Sequence, residues 1–351
     1  MTIVAGLDVG GAHLKVSLVA DGQPIAARQF ACPLWQGLDK LDTALENARE
    51  LTSRASAFAV TMTGELSDLF ETRKQGVAAI VDRVTAEFGP ATRFWMGHKL
   101  FGSADTARLN YPDVSSANFL ATATLAGRRL RASGASANAL LIDIGSTSTD
   151  IIPIIDARPA PRGLTDPDRL TSGELIYTGL TRTAVMAVCT RAPFAGTWQN
   201  FAREYLATMA DVRRILGVLP DDLDVHATAD GRGKSPEESL ARFARMFCRE
   251  AGDASLASWQ QAASYVIELQ LRSIHEGCAQ VLSGLNPDTS PETVVTTGLD
   301  TSVGNEIARR LGLPFRTFSV LARAPAGLEA AVDCNAPAVA VALLSIESPD
   351  V

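Results

Sequence analysis

Two stretches of this chain carry the same short pattern, and their aspartates, Asp8 and Asp143, lie 135 residues apart. The first reads Gly6-Leu-Asp8-Val-Gly10-Gly11-Ala-His-Leu-Lys15, the second Leu141-Ile-Asp143-Ile-Gly145-Ser-Thr-Ser-Thr-Asp150. In each, an apolar run ends in Asp-x-Gly and small residues, then resumes as a second apolar run. That is a strand, a tight turn and a returning strand, with a carboxylate at the rim of the turn. Glycine lets the backbone bend and lets its N–H groups approach an anion closely. A carboxylate beside such a turn can hold a divalent cation that bridges to phosphate oxygens. One such turn is an ordinary hairpin with an acid in it. Two facing each other make a clamp for a Mg²⁺–diphosphate. Asp8 and Asp143 are then the expected metal-holding residues, with Mg²⁺ the expected cofactor. Gly10, Gly11 and Ala12 in one turn, and Gly145, Ser146, Thr147 and Ser148 in the other, are the expected diphosphate cradle.

The elements around the two turns repeat as well. Apolar alternation predicts strands at 3–9, 14–20 and 24–29, with Asp21-Gly22 as a hairpin signal. A helix is expected at 37–53, a strand at 57–63, a helix at 76–88, a brief strand at 94–97 and a helix at 116–131. The order then restarts with strands at 139–144, 149–155 and 157–160 and a helix at 173–189. Residues 194–260 are polar, mostly helical and without a strand signal, which marks an insertion. A helix at 261–282, a strand at 293–297, a helix at 302–311, a strand at 315–318 and a helix at 328–345, broken at Pro337, complete the second half. The expected fold is α/β: a duplicated βββαβαβα unit, with one lobe over 1–135 and another over 136–351. Ligands in sheets of this kind bind at strand ends, here between the lobes.

Bulk properties narrow the partners. A net charge of -7 and a pI near 5.2 argue against a nucleic-acid binder, which would present a basic face. The five cysteines, Cys32, Cys189, Cys248, Cys278 and Cys334, form no Cys-x-x-Cys pair and read as buried thiols in a reducing compartment. The apolar N-terminal run lacks a basic leader and is interrupted by Asp8, and the late apolar stretch 338–346 is too short for a bilayer. A cytoplasmic enzyme acting on small molecules, with no membrane partner and an oligomeric state left open, is the expectation.

Other polar residues fall at strand ends. Lys15 reaches toward a phosphate as a point charge or snorkels outward. His13 reads as a turn or edge residue. Asp150, at the far end of its strand pair, reads equally as an outer metal partner, a base or an edge residue. Glu65 and Asp68, in Thr61-Met-Thr-Gly-Glu65-Leu-Ser-Asp68, contact an amine, accept a proton or cap a helix. Glu174 opens an expected helix as a complement to its dipole and as a candidate substrate contact. His98 and Gly298, the latter in Thr297-Gly298-Leu299-Asp300, are further candidates for the cleft, whereas the 228–234 loop reads as solvated. P-loop and Rossmann fingerprints are absent.

The doubled unit resembles the actin–hexokinase–Hsp70 superfamily, ribonuclease H-like lobes included, and its hydantoinase/oxoprolinase branch. There the first and second phosphate motifs match Asp8–Lys15 and Asp143–Asp150. The adenosine motif would fall at Thr296–Asp300, where the usual adjacent glycines are replaced by Gly298-Leu299-Asp300. A closer resemblance covers nearly the whole chain. Gly6–Ala12, Met62–Phe70, Ala117–Ala123, Asp143–Ile152, Gly173–Gly179 and Thr228–Arg232 look like the tetrahydromethanopterin-linked C1-transfer pathway family. Its archaeal members are methanofuran-biosynthesis synthases. That resemblance implies a transferase joining an (aminomethyl)furanylmethyl diphosphate to the phenol of a glutamyl-tyramine or tyrosine derivative, forming an aryl ether. Asp150, Lys15 and Glu65 would be catalytic, and Asp68, His98, Asn118, Glu174 and Gly298 would contact substrate. Two other readings stand beside it: an ATP-dependent kinase or oxoprolinase-like enzyme, and a non-catalytic sensor of a phosphorylated metabolite. Metal-supported turnover separates the sensor from the enzymes.

Overall fold

The computed structural model describes residues 2–348. Strands β1 (Ile3–Val9), β2 (His13–Ala20) and β3 (Gln23–Ala31) run as an antiparallel meander. The β2–β3 link turns at Asp21 and Gly22, both at positive φ (50° and 73°), which matches the twist of the flanking strands. Beyond β1 lie β4 (Ala57–Met62) and β5 (Arg93–Trp95), both parallel, and a short β6 (Phe101–Gly102). Helices Asp39–Thr52, Arg73–Phe88 and Asn118–Ala132 cover this sheet.

The second half restarts the pattern. Strands β7 (Ala139–Ile144), β8 (Thr149–Ile155) and β9 (Arg158–Pro159) form its meander, and β10 (Leu175–Ile176) pairs with the first residues of β8. A detached hairpin of β11 (Arg191–Phe194) and β12 (Thr197–Asn200) follows. The sheet then resumes with β13 (Thr293–Gly298) parallel to β7, and β14 (Phe315–Thr317) parallel to β13. The strand orders β3-β2-β1-β4-β5 and β9-β8-β7-β13-β14 are the same path drawn twice. This is the duplicated α/β fold expected from the sequence.

Three expected elements are corrected. Residues 173–189 are not a helix. The helix is Asp166–Ser172, capped by Thr165 and ended by Gly173 in the left-handed region, and only Val185–Val188 is helical beyond it. The run Thr178-Gly-Leu-Thr-Arg-Thr183 is instead spent on loop contacts. The 194–260 insertion, expected to be mostly helical and without strands, holds part of the β11–β12 hairpin, which turns on Ala195-Gly196, again both at positive φ. The final helix breaks at Asn335, not at Pro337. Glu329–Cys334 and Ala336–Glu347 are separate helices, with Pro337 in the first turn of the second, where its missing N–H costs nothing.

Three packed layers position the cleft. The helix Ala336–Glu347 is buried at every residue from Ala336 to Ser345. It lies between the first sheet and helix Asn118–Ala132, although it comes from the end of the chain. Gly6 permits this approach: a Cβ there would stand 1.9 Å from the Ala338 carbonyl oxygen. The insertion has a core of its own, in which Phe194, Phe201, Phe243, Phe247 and Trp259 pack ring against ring.

Candidate active site between the two turns

The two turns are built by one device. Gly10 N–H donates to the His13 carbonyl and Gly145 N–H to the Ser148 carbonyl, each at 2.9 Å. The turn carbonyls are taken from outside: Gly11 O accepts from Leu34 N, Ala12 O from Cys32 N, Gly145 O from Leu180 N and Ser146 O from Arg182 N, all within 3.0 Å. With the carbonyls drawn away, the N–H groups of Gly11, Ala12, Ser146 and Thr147 engage no acceptor of the chain among the described residues. Both turns line one cleft of about 570 Å³. Unengaged amides in turns that line a cleft can serve as an anion cradle.

Register sets the charges between the turns. Asp8 lies opposite Lys15 across β1 and β2, and Asp143 lies opposite Asp150 across β7 and β8. Asp150 is therefore at the same strand end as Asp143, which corrects the expectation of the far end. Lys15 Nζ stands 3.6 Å from Asp8 Oδ2. Burial raises the Asp8 carboxyl from its usual range, against the pull of Lys15 and of the Asn118 side chain nearby. Burial, reinforced by Asp150 and Asp8, pushes Asp143 up to about 7. Burial alone would lower Lys15, but Asp8, Asp143 and Asp150 outweigh it, and the ammonium is held above its usual value. Asp150 is ion-paired to Arg169, whose guanidinium is buried over the Phe119 ring at 3.7 Å.

The expected residues divide cleanly. Asp8, Gly10, Gly11, Ala12, Lys15, Asp68, Asn118, Asp143, Gly145, Ser146, Thr147, Ser148, Asp150 and Gly298 all line the cleft. Glu65 does not: its carboxylate accepts from Ser115 Oγ (2.6 Å) and Ser116 Oγ (2.9 Å) beneath the floor, and burial raises its pKa. It is a tether for the Ser115-Ser116 bend. Glu174 is also off the cleft, accepting from Arg162 N, Gly163 N and Ser172 Oγ, and so ties a loop to the end of a helix instead of opening one. His98 is exposed on a short helical turn and lies outside the cleft.

The sequence missed several lining residues. His13, expected at a turn or edge, is 7% exposed and faces the cleft. Its Nε2 meets His226 Nε2 at 3.0 Å, so the loop before the expected solvated stretch reaches the first turn. Arg182 lines the cleft, donates to Thr147 Oγ1 at 3.0 Å and lies 4.9 Å from the Trp35 ring centroid. Burial lowers its pKa from the usual arginine value. Its sequence signal was the Thr181-Arg182 step just after Gly179, hidden by the expected helix. Gly179 itself is required there: a Cβ would stand 2.5 Å from Thr147 N. Cysteines are free throughout, and Cys248 is exposed where a buried thiol was expected.

Residues 56–342 match the family model of the hydantoinase/oxoprolinase proteins. Over 248 residues the chain is 33% identical to the (4-{4-[2-(gamma-L-glutamylamino)ethyl]phenoxymethyl}furan-2-yl)methanamine synthase of Methanocaldococcus jannaschii, spanning 71% of this chain and 72% of that protein. The synthase of the same name from Methanococcus vannielii is 34% identical over 118 residues, 34% of this chain and 53% of that one. In three dimensions, the nucleotide-free structure of an acetone carboxylase superposes on 97% of this chain and 70% of its own, with a TM-score of 0.58 and 12% identity. That likeness shows the fold alone.

Proposed function

The chain belongs to the hydantoinase/oxoprolinase family, and we propose that within it the protein condenses an (aminomethyl)furanylmethyl diphosphate with a phenol to give an aryl ether and diphosphate. The synthases it resembles are named for a product in which a phenoxymethyl ether joins a tyramine-type ring to a furan. The observation that carries the reading is the pair of turns with free amides facing one cleft, with Lys15 among Asp8, Asp143 and Asp150 between them.

The chemistry fits that cleft. The carbon–oxygen bond to diphosphate breaks with its electron pair leaving on the phosphate oxygen. The furan ring delocalises the positive charge left on the CH₂ carbon. The phenol oxygen then bonds to that carbon and gives up its proton. The protein's task is to stabilise the departing charge and to aim the oxygen. Lys15, the amides of Gly11, Ala12, Ser146 and Thr147, and the Arg182 guanidinium receive the diphosphate. Asp150, oriented by Arg169, takes the phenol proton. Asn118 and Asp68 at the cleft wall contact the furan end.

Mg²⁺ would complete the clamp. No group of three or more His, Cys, Asp or Glu side chains among the described residues is spaced to hold a metal by itself. Mg²⁺ bound with a diphosphate needs only one or two carboxylates, the rest coming from phosphate and water. Asp8 supplies one such atom, since its Oδ1 is buried and has no hydrogen-bond partner. Asp8 and Asp143 would hold the ion, which would neutralise charge on the leaving diphosphate. No helix among the described residues is long and apolar enough to cross a membrane, and the free thiols fit the cytoplasm as the place of action.

A mass-spectrometric endpoint assay tests the proposal. The protein and Mg²⁺ are incubated with the furanylmethyl diphosphate and a tyramine- or tyrosine-type phenol, with and without ATP. Ether and diphosphate formed without ATP support it. No ether with either phenol, together with ATP hydrolysis stimulated by a small molecule, contradicts it.

A further inference from the structure

The insertion touches both halves of the clamp. Its helix Met209–Ile215 stands behind the second turn, where Met209 N–H donates to Thr183 O at 2.9 Å and Ala210 N–H to Thr181 O at 3.1 Å. Those carbonyls belong to the segment whose Leu180 and Arg182 N–H groups hold Gly145 O and Ser146 O. Arg213, on the same helix, donates to Gln270 Oε1 at 2.9 Å. Gln270, on helix Leu256–Ser283, passes the contact on: its Nε2 donates to Thr178 Oγ1 and to Gly179 O, each at 2.8 Å. Gly179 backs directly onto Ser146 and Thr147, with no room for a Cβ between them. Gln270 and Arg213 are both buried, so these contacts are shielded from water.

The insertion also reaches the first turn. Arg214, beside Arg213, is ion-paired with Asp224, and Asp224 Oδ1 accepts from His226 N–H at 3.4 Å. His226 Nε2 then meets His13 Nε2 at 3.0 Å, and the His13 carbonyl closes the first turn by accepting from Gly10 N–H. A continuous line of polar contacts thus runs from one turn, through the insertion, to the other.

Neither His226 nor Gln270 lines the cleft. Neither carries a charge at neutral pH, since burial, with Arg182, holds the His226 imidazole down at about 4. An effect of either residue on an anion in the cleft therefore passes through the placement of the turns. A diphosphate is a bivalent ligand for two turns. It gains over a single phosphate only while the spacing of the turns lets both phosphoryl groups engage at once.

We infer that the insertion is a brace that fixes the spacing of the two amide-bearing turns, with His226 and Gln270 as positioning residues, one toward each turn. The inference rests on the proposed reading of the cleft as a diphosphate site and adds what makes that site prefer two phosphoryl groups to one. Loosening either contact leaves each turn closed by its own bond, Gly10 to His13 or Gly145 to Ser148, and blurs the distance between them.

The test titrates inorganic diphosphate and inorganic phosphate, with Mg²⁺ present, into the full chain by calorimetry. Wild type, His226→Ala and Gln270→Met are compared at neutral pH. Diphosphate affinity is expected to fall by about tenfold or more in each variant, because the gain of the second contact is lost when geometry forbids simultaneous engagement. Phosphate, which uses one turn at a time, should bind each variant as it binds the wild type. Gln270→Met leaves Arg213 without its acceptor; if that variant does not fold, His226→Ala, at a half-buried loop position, decides the matter. Unchanged diphosphate affinity, or equal losses for phosphate and diphosphate, overturns the inference while leaving ether formation standing. A wild type that binds diphosphate no more tightly than phosphate overturns it as well, and takes the two-turn clamp with it. The expected loss of preference in a protein that forms no ether sustains the brace and removes the transferase reading.

Discussion

Lys15 and Asp150 occupy the same position in the two halves of the fold: each sits on the second strand of its hairpin, directly opposite the turn aspartate, Asp8 or Asp143. One duplicated register thus carries opposite charges in its two copies. The cation of the first copy is held by the carboxylates around it, and the anion of the second is tied to Arg169. On the proposed function, this asymmetry makes a symmetric clamp directional, with a side for the leaving group and a side for the incoming proton.

Neutralising the two positions should separate binding from chemistry. Lys15→Met is expected to weaken diphosphate binding and to lower kcat by about 10²–10³, the usual cost of a lost charge-stabilising donor. Asp150→Asn keeps the side chain's shape beside Arg169 and should leave diphosphate binding intact while slowing turnover. Steady-state kinetics with diphosphate titrations decide the matter. Parallel losses in both variants would deny the two sides separate roles.

Asp8→Asn and Asp143→Asn should each raise the Mg²⁺ concentration needed for half-maximal turnover by about tenfold or more, since each removes one of the one or two carboxylates such an ion uses. A Mg²⁺ titration of activity reads this directly. Unchanged Mg²⁺ dependence in both variants would remove the metal from Asp8 and Asp143.

Gly179→Ala should damage the second turn selectively. Its Cβ would stand 2.5 Å from Ser146 C and Thr147 N, so the turn backbone has to move. Diphosphate affinity is expected to fall by about tenfold or more, with an overall stability loss of about 1–3 kcal/mol. Titration and denaturant unfolding measure the two effects. Wild-type affinity would show that the Ser146–Thr147 amides do not hold the anion.

The histidine pair predicts an acid weakness. Burial, with the charges of His226 and Lys15, holds His13 well below its ordinary value, and burial with Arg182 holds His226 down at about 4. The unfolded chain takes these protons near 6.5, so between the two values it binds more protons than the folded one. The stability carried by the neutral pair is complete above 6.5 and is lost as the pH falls toward about 4. Raised carboxylates such as Asp143 and Asp333 act in the opposite direction, so the comparison is with His226→Gln. Unfolding free energy should fall less in that variant than in the wild type between about pH 7.5 and 4.5. Equal falls would contradict neutral burial of the pair.

The local parts of this site were legible in the sequence because they are short and repeated. Asp8, Lys15, Asp143 and the turn residues lie within two segments whose alternation and glycines specify strand, turn and strand. Residues brought in from a distance carried no such signal. Trp35 sits in a single 3-10 turn, Leu34–Gln36, after Pro33, Arg182 sits in a stretch whose composition imitates a helix start, and His226 arrives on an insertion loop. Glu65 and Glu174 show the reverse error. A carboxylate near a motif looks functional in sequence, yet Glu174 is consumed by backbone and hydroxyl donors, and Glu65 takes two serine hydroxyls on one oxygen outside the cleft.

The central claim is that the carbon–oxygen bond to diphosphate breaks and the phenol oxygen takes its place, with no nucleotide consumed. The most direct measurement supplies an acceptor whose phenol oxygen is ¹⁸O, leaves ATP out, and follows ether and diphosphate together by mass spectrometry. The account predicts one diphosphate per ether, with the label wholly in the ether. Label in the phosphate product, or ether that forms only when ATP is added, would contradict it.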